Sequence, residues 1–424
     1  MNIGADSRAP TEDMIERGAI ACGACGSGRV EIVLDLGRQP VSSHFTAAPR
    51  GPVVEHPLAL SVCTDCGVVQ LERPFPFRDL VPPYAWITYR EPEDHLDDVT
   101  ARIRALQGIG GHSKVVGLSF KDRSTIERLG RAGVADARIL DLRRDLGADS
   151  PNANIESVAG LLTTDLAATL IGQSGPADVV IARHIVEHAS SCRHFLAALG
   201  KLLAPGGYLV VEVPDCTANL ARQDYAMIWE EHCYYFTPRT LSRIMADAGF
   251  ALLGVDVHAY PFEDVIVAFA RKAGVTVPAG APTDVGVVAG EVEAAHRYGA
   301  AFADWTDRYG KALGRLTADG RRLAAYGAGH LTCAFLHFHG LAPYFDFVVD
   351  DTLEKQGLHL PKSGLPIVPR DRLDAGRIAA CLFGLGPKTE DKIVAANEGY
   401  LRAGGQFYSM LVDSGRSIRG LLRS

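Results

Sequence analysis

Hydrophobic residues in the middle of the chain form short continuous runs separated by stretches with helical spacing. Asp178–Ala182 and Tyr208–Val213 are short runs rich in Val and Ile, which is typical of buried parallel strands. Between them, His194–Leu203 carries apolar residues at helical spacing, and Pro205–Gly207 predicts a turn before the second strand. A strand, a helix and a strand in this order predict a βαβ unit of a doubly wound sheet.

The same pattern extends this sheet in both directions along the chain. Helices are predicted over Glu93–Leu106 and Ser124–Ala132, the second with Ser124 as its N-cap. The remaining strands are predicted at Ser113–Asp122 (with the loop that follows), Ala137–Leu140, Ser157–Thr163, Ala251–Val257 and Val265–Ala270.

The C-terminal third repeats the strand–helix–strand pattern after a break in composition. Pro278–Asp284 is rich in Pro, Gly and Ala and predicts a linker, followed by a long amphipathic helix over Val287–Ala318. A strand at Arg321–Ala325, a glycine turn, a helix at Leu331–Phe338 and a strand at Phe345–Val349 complete the pattern. This order predicts a half-Rossmann α/β domain.

Four of the nine cysteines fall into two matched pairs, Cys22/Cys25 and Cys63/Cys66. Each pair places two thiolates on one tight turn, and two such turns supply the tetrahedral sulfur set that zinc prefers. Four protein thiolates leave no open position, so the zinc is expected to be structural. Strands are predicted between the pairs, at Val30–Leu36 and His56–Ser61.

The predicted fold class is therefore α/β: a doubly wound sheet flanked by a small zinc module and a half-Rossmann domain. We expect the zinc module over residues 1–80, the central domain over 81–275 and the C-terminal domain over 276–424.

Titratable residues cluster after the two central strands. Arg183, His184 and the pair Glu187-His188 follow the first, and Asp215 follows the second. In an open α/β sheet, ligands bind beyond the carboxyl ends of the strands, so this cluster falls where a site is expected. Further on, two carboxylates and an imidazole precede an aromatic run, in Glu230-Glu231-His232-Cys233-Tyr234-Tyr235-Phe236.

Composition narrows the classes of protein that fit. The 424-residue chain has a formal net charge of −7, which argues against a nucleic-acid-binding protein. It contains no apolar run as long as a membrane span, and its polar, acidic start lacks the features of a signal peptide. These features predict a cytoplasmic protein without a membrane partner, and we expect a monomer or a small homo-oligomer.

Three segments together resemble one family, the S-adenosylmethionine (SAM)-dependent sugar C-methyltransferases that act on nucleotide-linked keto-deoxysugars. They are Glu187-His188, the Leu203–Gly207 turn and, most specifically, Glu230–Phe236. The two cysteine pairs resemble the family's zinc module, and Tyr326–His330 with Asp350–Gly357 resembles its C-terminal domain. The resemblance thus spans nearly the whole chain in three blocks.

The resemblance implies roles for individual residues. For methylation next to a ketone, we expect His232 to be the base that forms the enolate, because an imidazole titrates near working pH, with Glu231 orienting it or sharing the work. His188 would polarise the enolate oxygen. Tyr84, with Trp86 and Tyr89 as neighbours, matches the family's lid and would donate a hydrogen bond from it. For SAM, it implies contacts from Gly117, Asp141, Arg183 and His184. For the nucleotide part of the substrate, it implies contacts from Tyr326, Gly327, Gly329, Asp350 and Lys355.

Two alternatives remain open, and the first of them follows from one departure. The family's glycine-rich loop carries at least two glycines, whereas only Gly117 is present here, followed by Leu118 and Phe120. An enzyme that enolises or epimerises a sugar nucleotide would need the base and not SAM. A non-catalytic sugar-nucleotide-binding protein would need neither.

Overall fold

The computed structural model describes residues 20–84, 92–260, 263–273, 285–374 and 376–423, which fold around three β-sheets. The N-terminal sheet is antiparallel throughout. Its elements are β1 (Val30–Pro40), β2 (Glu55–Cys63), β3 (Val69–Leu71) and a short helix, α1 (Phe77–Leu80). Its fourth strand, β8 (Tyr234–Tyr235), comes from the middle of the chain and pairs with β3. The N-terminal sheet is therefore completed by the central domain.

The central sheet has six strands: β4 (Lys114–Gly117), β5 (Asp136–Ile139), β6 (Ala177–Arg183), β7 (Leu203–Pro214), β9 (Phe250–His258) and β10 (Val265–Lys272). Their order is β5-β4-β6-β7-β10-β9, parallel from β5 to β7 and antiparallel from β7 to β9. The helices are α2 (Leu96–Arg104), α3 (Arg123–Arg131), α4 (Ile155–Leu161), α5 (Thr164–Ser174), α6 (Cys192–Leu202), α7 (Thr217–Arg222) and α8 (Pro238–Asp247). Apolar clusters cover both faces of the sheet, as the doubly wound prediction requires.

The strand predicted at Ser157–Thr163 is wrong, because this segment lies in α4 and at the start of α5. Local capping decides the outcome. Asn154 accepts a hydrogen bond from the backbone N–H of Glu156 at 3.2 Å, and Thr163 caps α5 through Leu166 N–H at 3.2 Å. These caps satisfy backbone groups that a helix start leaves open, so the apolar run becomes two short helices.

Two local predictions also need correction. Pro205–Gly207 is not a separate turn, because β7 already begins at Leu203 and runs through it. Gly206 has φ +73°, and a Cβ on Gly207 would lie 3.0 Å from Asp178 O, so the glycines permit an irregular, close strand pairing. Ser124 is not the N-cap of α3, which begins one residue earlier at Arg123 after a short 3₁₀ turn.

The C-terminal sheet is parallel throughout, in the order β13-β12-β11-β14-β15, with β11 (Arg322–Tyr326), β12 (Phe345–Val349), β13 (Ile367–Val368), β14 (Ile378–Phe383) and β15 (Gln406–Ser409). The helices are α9 (Val285–Ala300), α10 (Phe302–Leu316), α11 (His330–Phe338), α12 (Pro387–Ala396) and α13 (Glu398–Arg402). The strand order reverses between β11 and β14, so a crevice is expected at their carboxyl ends.

The single long helix predicted over Val287–Ala318 is two helices, because the chain breaks at Ala301. The two halves bury different surfaces. Tyr298 of α9 packs into the core of the N-terminal sheet, whereas Leu313 of α10 packs into the core of the C-terminal sheet. Just before the break, a Cβ on Gly299 would lie 1.8 Å from Val33 O, so α9 approaches β1 as closely as a backbone can.

In the part of the chain that the structure describes, no single helix has the length and apolar composition needed to cross a membrane. Helices α4 and α5 have this length and apolar composition only when they are taken together, and they are bent by 98° relative to each other.

Candidate active site

A cavity of about 760 Å³ lies where the central and C-terminal domains meet. The central sheet contributes residues that follow β6, and the C-terminal sheet contributes Gly329–Leu331 after β11 and Gly384–Thr389 after β14. Tyr84 also lines the cavity and packs against the C-terminal core. Trp86 and Tyr89, named with it above, lie outside the described residues. The cavity thus sits at the carboxyl ends of two sheets, where α/β folds bind ligands.

A buried ion pair fixes the chain where β6 ends. Arg183 forms two hydrogen bonds to Glu212 on the neighbouring β7, at 2.8 and 2.9 Å, and its side chain is only 2% exposed. His95 and His184 also place a ring nitrogen 3.0 Å from this carboxylate. Burial opposes ionisation, but these hydrogen bonds and the Arg183 charge hold the pKa of Glu212 well below its ordinary value.

His184 turns the chain into the cavity in a conformation that non-glycine residues rarely adopt, with φ +47°. Its backbone N–H donates to Glu212 O at 2.8 Å, which holds this turn in place. The short turn Val186–His188 follows and places Glu187 and His188 on the cavity wall. Strain of this kind persists only where the surroundings enforce it, and it is common at functional sites.

The segment Glu231-His232 reaches the same wall because Cys233 N–H donates to Glu187 O at 2.7 Å. The rings of His188 and His232 meet edge to face, with centroids 4.8 Å apart. Burial, and then the proximity of His188 and His330, lowers the pKa of His232 well below its ordinary value. The structure therefore brings His188, Glu231 and His232 together, with the imidazole of His232 neutral near pH 7.

Glu156, which the sequence analysis missed, completes this wall. It lies in the first turn of α4, and its Oε1 is 2.6 Å from His188 Nδ1. Burial, together with Glu187 and Glu230, raises the pKa of Glu156 well above its ordinary value. The pKa of Glu231 is raised by burial and by Glu156 in the same way. The only sequence signal was a carboxylate in an apolar stretch, Ile155–Leu162.

Glu230 points away from its neighbour Glu231 and joins three parts of the chain. It accepts hydrogen bonds from Ser42 N–H at 2.6 Å and Ser42 Oγ at 2.7 Å, and its Oε2 is 3.0 Å from His330 Nδ1. His330 stacks on Trp229, with ring centroids 3.8 Å apart. Although burial opposes it, His330 and Ser42 lower the pKa of Glu230 to about 2.

The predicted cofactor residues are not all on the cavity. His184 lines it, whereas Gly117, Asp141 and Arg183 do not. Asp141 accepts hydrogen bonds from the backbone N–H groups of its own loop, and the Arg183 guanidinium is committed to Glu212. At this edge, the cavity is lined instead by Phe120, Lys121 and the loop 151–154.

The loop 118–122, closed by the carboxylate of Asp122, occupies the position where the resemblance predicts a glycine-rich loop. Asp122 accepts hydrogen bonds from Leu118 N–H at 2.7 Å, Ser119 N–H at 2.9 Å and Arg183 N–H at 3.0 Å. A Cβ on Gly117 would lie 2.7 Å from Asp122 Cβ, so the single glycine admits this carboxylate. Burial raises the pKa of Asp122 to about 6 despite these bonds.

Of the predicted substrate residues, only Gly329 lines the cavity. The others hold the loops behind it. Tyr326 donates to Asp351 at 2.8 Å, Lys355 donates to Asp350 at 3.0 Å, and Gly327 has φ +100° and packs against Leu385. The sequence analysis missed the loop 384–386 and the first turn of α12, which brings Lys388 and Thr389 to the cavity.

The four cysteines of the N-terminal module fit a zinc ion. The sulfurs of Cys22 and Cys66 are 3.7 Å apart and those of Cys25 and Cys63 are 3.6 Å apart. Zinc–sulfur bonds of ~2.3 Å in a tetrahedron place sulfurs ~3.8 Å apart. All four sulfurs lie within 4.8 Å of one another, so the structure confirms the predicted set.

Comparisons with known proteins match each of the three parts. A zinc binding domain family matches residues 22–80, a methyltransferase domain family matches 123–255, and a C-methyltransferase C-terminal domain family matches 287–411. C-methyltransferase NovU of Streptomyces niveus is 26% identical over 409 residues, covering 91% of this chain and 94% of that protein.

Solved structures of methyltransferases align with part of the chain. Magnesium protoporphyrin IX methyltransferase from Synechocystis aligns with a TM-score of 0.29 and 14% identity, over 45% of this chain and 91% of that one. The 1,6-didemethyltoxoflavin-N1-methyltransferase of Burkholderia thailandensis aligns with a TM-score of 0.28 and 14% identity, over 43% and 79%.

The central sheet, the cavity at its carboxyl edge and the domain matches define a class I SAM-dependent methyltransferase with a structural zinc module. Because the C-terminal match is to C-methyltransferases, the group transferred goes to carbon. The chain is thus similar to C-methyltransferases in its C-terminal domain and over most of its length. Methyl transfer is thus supported over the two alternatives, enolisation without SAM and binding without catalysis.

Proposed function

We propose that this enzyme methylates a carbon of a nucleotide-linked keto-deoxysugar through an enolate that His232 generates. One observation carries the proposal: a neutral, buried imidazole at His232 meets His188 and Glu231 on the wall of a cavity shared by two domains. C–H bonds next to a ketone become acidic enough for a side-chain base only if the enolate oxygen is stabilised.

The shape of the cavity supports a long substrate with two different ends. Its central-domain wall carries the titratable cluster, and its C-terminal wall is formed by residues 329–331 and 384–389 at the switch point between β11 and β14. There α12 begins after Gly386, with Lys388 and Thr389 in its first turn. A helix start beside a lysine suits the phosphates that link a sugar to a nucleoside.

In the proposed mechanism, His232 takes the proton from the carbon next to the ketone, and its low pKa keeps it unprotonated and ready to do so. His188, held by Glu156, polarises the ketone oxygen. Glu231 orients His232 or shares its work as the base, and Tyr84, which lines the cavity, donates a hydrogen bond to the substrate. His184, Lys121 and the loop 151–154 line the cavity and would hold SAM, which would supply the methyl group when bound.

Proton exchange in deuterated water, without SAM, isolates the base from methyl transfer. With a nucleoside diphosphate keto-deoxysugar, the wild type is expected to exchange the hydrogen next to the ketone, and His232→Ala should exchange it ~10²–10⁴-fold more slowly. His194→Ala, at an exposed histidine, is the matched control. Calorimetry should show SAM binding in all three proteins. Exchange at the wild-type rate in His232→Ala would rule out His232 as the base.

A further inference from the structure

Three carboxylates are crowded on the cavity wall, and the roles proposed above leave two of them without a direct function. Glu156, Glu187 and Glu231 are all buried, and Glu187 is only 1% exposed. Among the described residues, neither oxygen of Glu187 has a hydrogen-bond partner, and Oε2 of Glu156 has none. The ring nitrogen Nδ1 of His184 lies 3.6 Å from Oε1 of Glu187.

Buried carboxylates in proteins are normally paired, hydrogen-bonded or bound to a metal ion, because leaving them bare is costly. Here the nearest groups are themselves carboxylates and imidazoles. Both oxygens of Glu187 and one of Glu156 therefore have no donor among the described residues. Three buried carboxylates this close together favour a cation bound between them.

The spacing of these side chains suits a metal ion. Ligand atoms of Glu156, His188 and Glu231 all lie within 4.8 Å of one another, and those of Glu187, His188 and His232 do so as well. Imidazole and carboxylate donors suit divalent ions such as Mn²⁺, Fe²⁺ or Zn²⁺, and three protein ligands leave positions open for a substrate oxygen. A metal ion bound by Glu156, His188 and Glu231 also leaves His232 available as the base.

We propose that Glu156, His188 and Glu231 bind a divalent cation on the cavity wall, with the Glu187 carboxylate beside it. This site is separate from the zinc of the four cysteines. Resting on the proposed function, it gives the ion a role: with the ketone oxygen in an open position, a cation stabilises negative charge as the enolate forms. His188 and Glu231 then act on that oxygen through the ion.

Mn²⁺ is the best probe, because it binds oxygen and nitrogen donors and not a set of four thiolates. Full-length protein that retains its zinc would be titrated with Mn²⁺ and followed by electron paramagnetic resonance. The wild type is expected to bind one Mn²⁺ per chain. Glu156→Gln and Glu187→Gln should each weaken binding at least tenfold, whereas Glu263→Gln, which alters a cavity carboxylate outside the cluster, should leave binding unchanged.

A second measurement covers variants that fail to fold. Mn²⁺ bound to the wild type should show coupling to the ¹⁴N of an imidazole, and this coupling should be lost in His188→Gln. No binding at millimolar Mn²⁺, or wild-type affinity in both glutamate variants, would overturn the site. SAM binding and methyl transfer by protein that carries no divalent ion apart from the cysteine-bound zinc would overturn this inference alone, whereas a Mn²⁺ site without methyl transfer would overturn the proposed function alone.

Discussion

The contact between Glu230, Ser42 and His330 predicts a stability change with a defined pH dependence. The carboxylate is fully buried, and its pKa is lowered from the ordinary 4.5 to about 2. This difference corresponds to about 3 kcal/mol of folding free energy near neutral pH. Removing one partner of a buried ion pair costs ~3–5 kcal/mol, so two routes give a similar magnitude. Glu230→Gln should therefore lower the free energy of unfolding by about 3 kcal/mol at pH 7.

The sign follows from the direction of the pKa change. A carboxylate with a lower pKa in the folded state stabilises the protein fully above its unfolded pKa. That contribution is lost as the pH falls towards the folded pKa of about 2. The difference between wild type and Glu230→Gln should therefore be largest near neutral pH and should shrink through the range from about 4.5 to about 2.

Urea unfolding followed by circular dichroism at several pH values would measure this difference. Glu293→Gln is the matched control, because Glu293 pairs with Arg297 on the exposed face of α9 and surface pairs contribute little. A loss of the same size at every pH would refute the reasoning. The destabilisation would then come from lost packing and not from the charge.

Three further outcomes are expected. Metal analysis should give about one zinc per chain, apart from any ion at the proposed cavity site. Cys63→Ser should release this zinc and destabilise the N-terminal module. Wild-type protein that is purified without zinc would contradict this prediction. Gly117→Ala should destabilise the fold by ~1–3 kcal/mol in thermal unfolding, because its Cβ would meet Asp122 at 2.7 Å, whereas Gly130→Ala has open space and should not. Deuterium exchange by the wild type should stay constant as pH falls through ~6.5, since the pKa of His232 lies well below that value; a decline there would contradict the neutral-base mechanism.

Periodicity located most strands because buried parallel strands carry uninterrupted apolar side chains. It failed at Ser157–Thr163, where a short apolar run fits either a strand or a helix and two caps decide. Zinc ligation was predictable because the matched spacing brings each thiolate pair together within one turn.

The cavity was harder to predict because it is assembled from separate segments. Nothing in the pair Glu230-Glu231 tells which carboxylate faces the cavity and which one binds His330 across the domain boundary. The sequence did contain one indication that Arg183 forms a buried ion pair. Glu212 interrupts an otherwise apolar strand, and a buried carboxylate needs a partner on a neighbouring strand.

The short strand β8 limits how this protein can be divided or recombined. It pairs with β3, so a fragment that ends near residue 80 would expose the edge of β3 without its partner. Bare strand edges promote association between chains, and such a fragment should aggregate even with zinc bound. Chimeras that exchange the zinc module between related enzymes should therefore carry Tyr234–Tyr235 with it, together with the adjoining Glu231-His232. The zinc module and the segment proposed to carry the base would then have to be exchanged together.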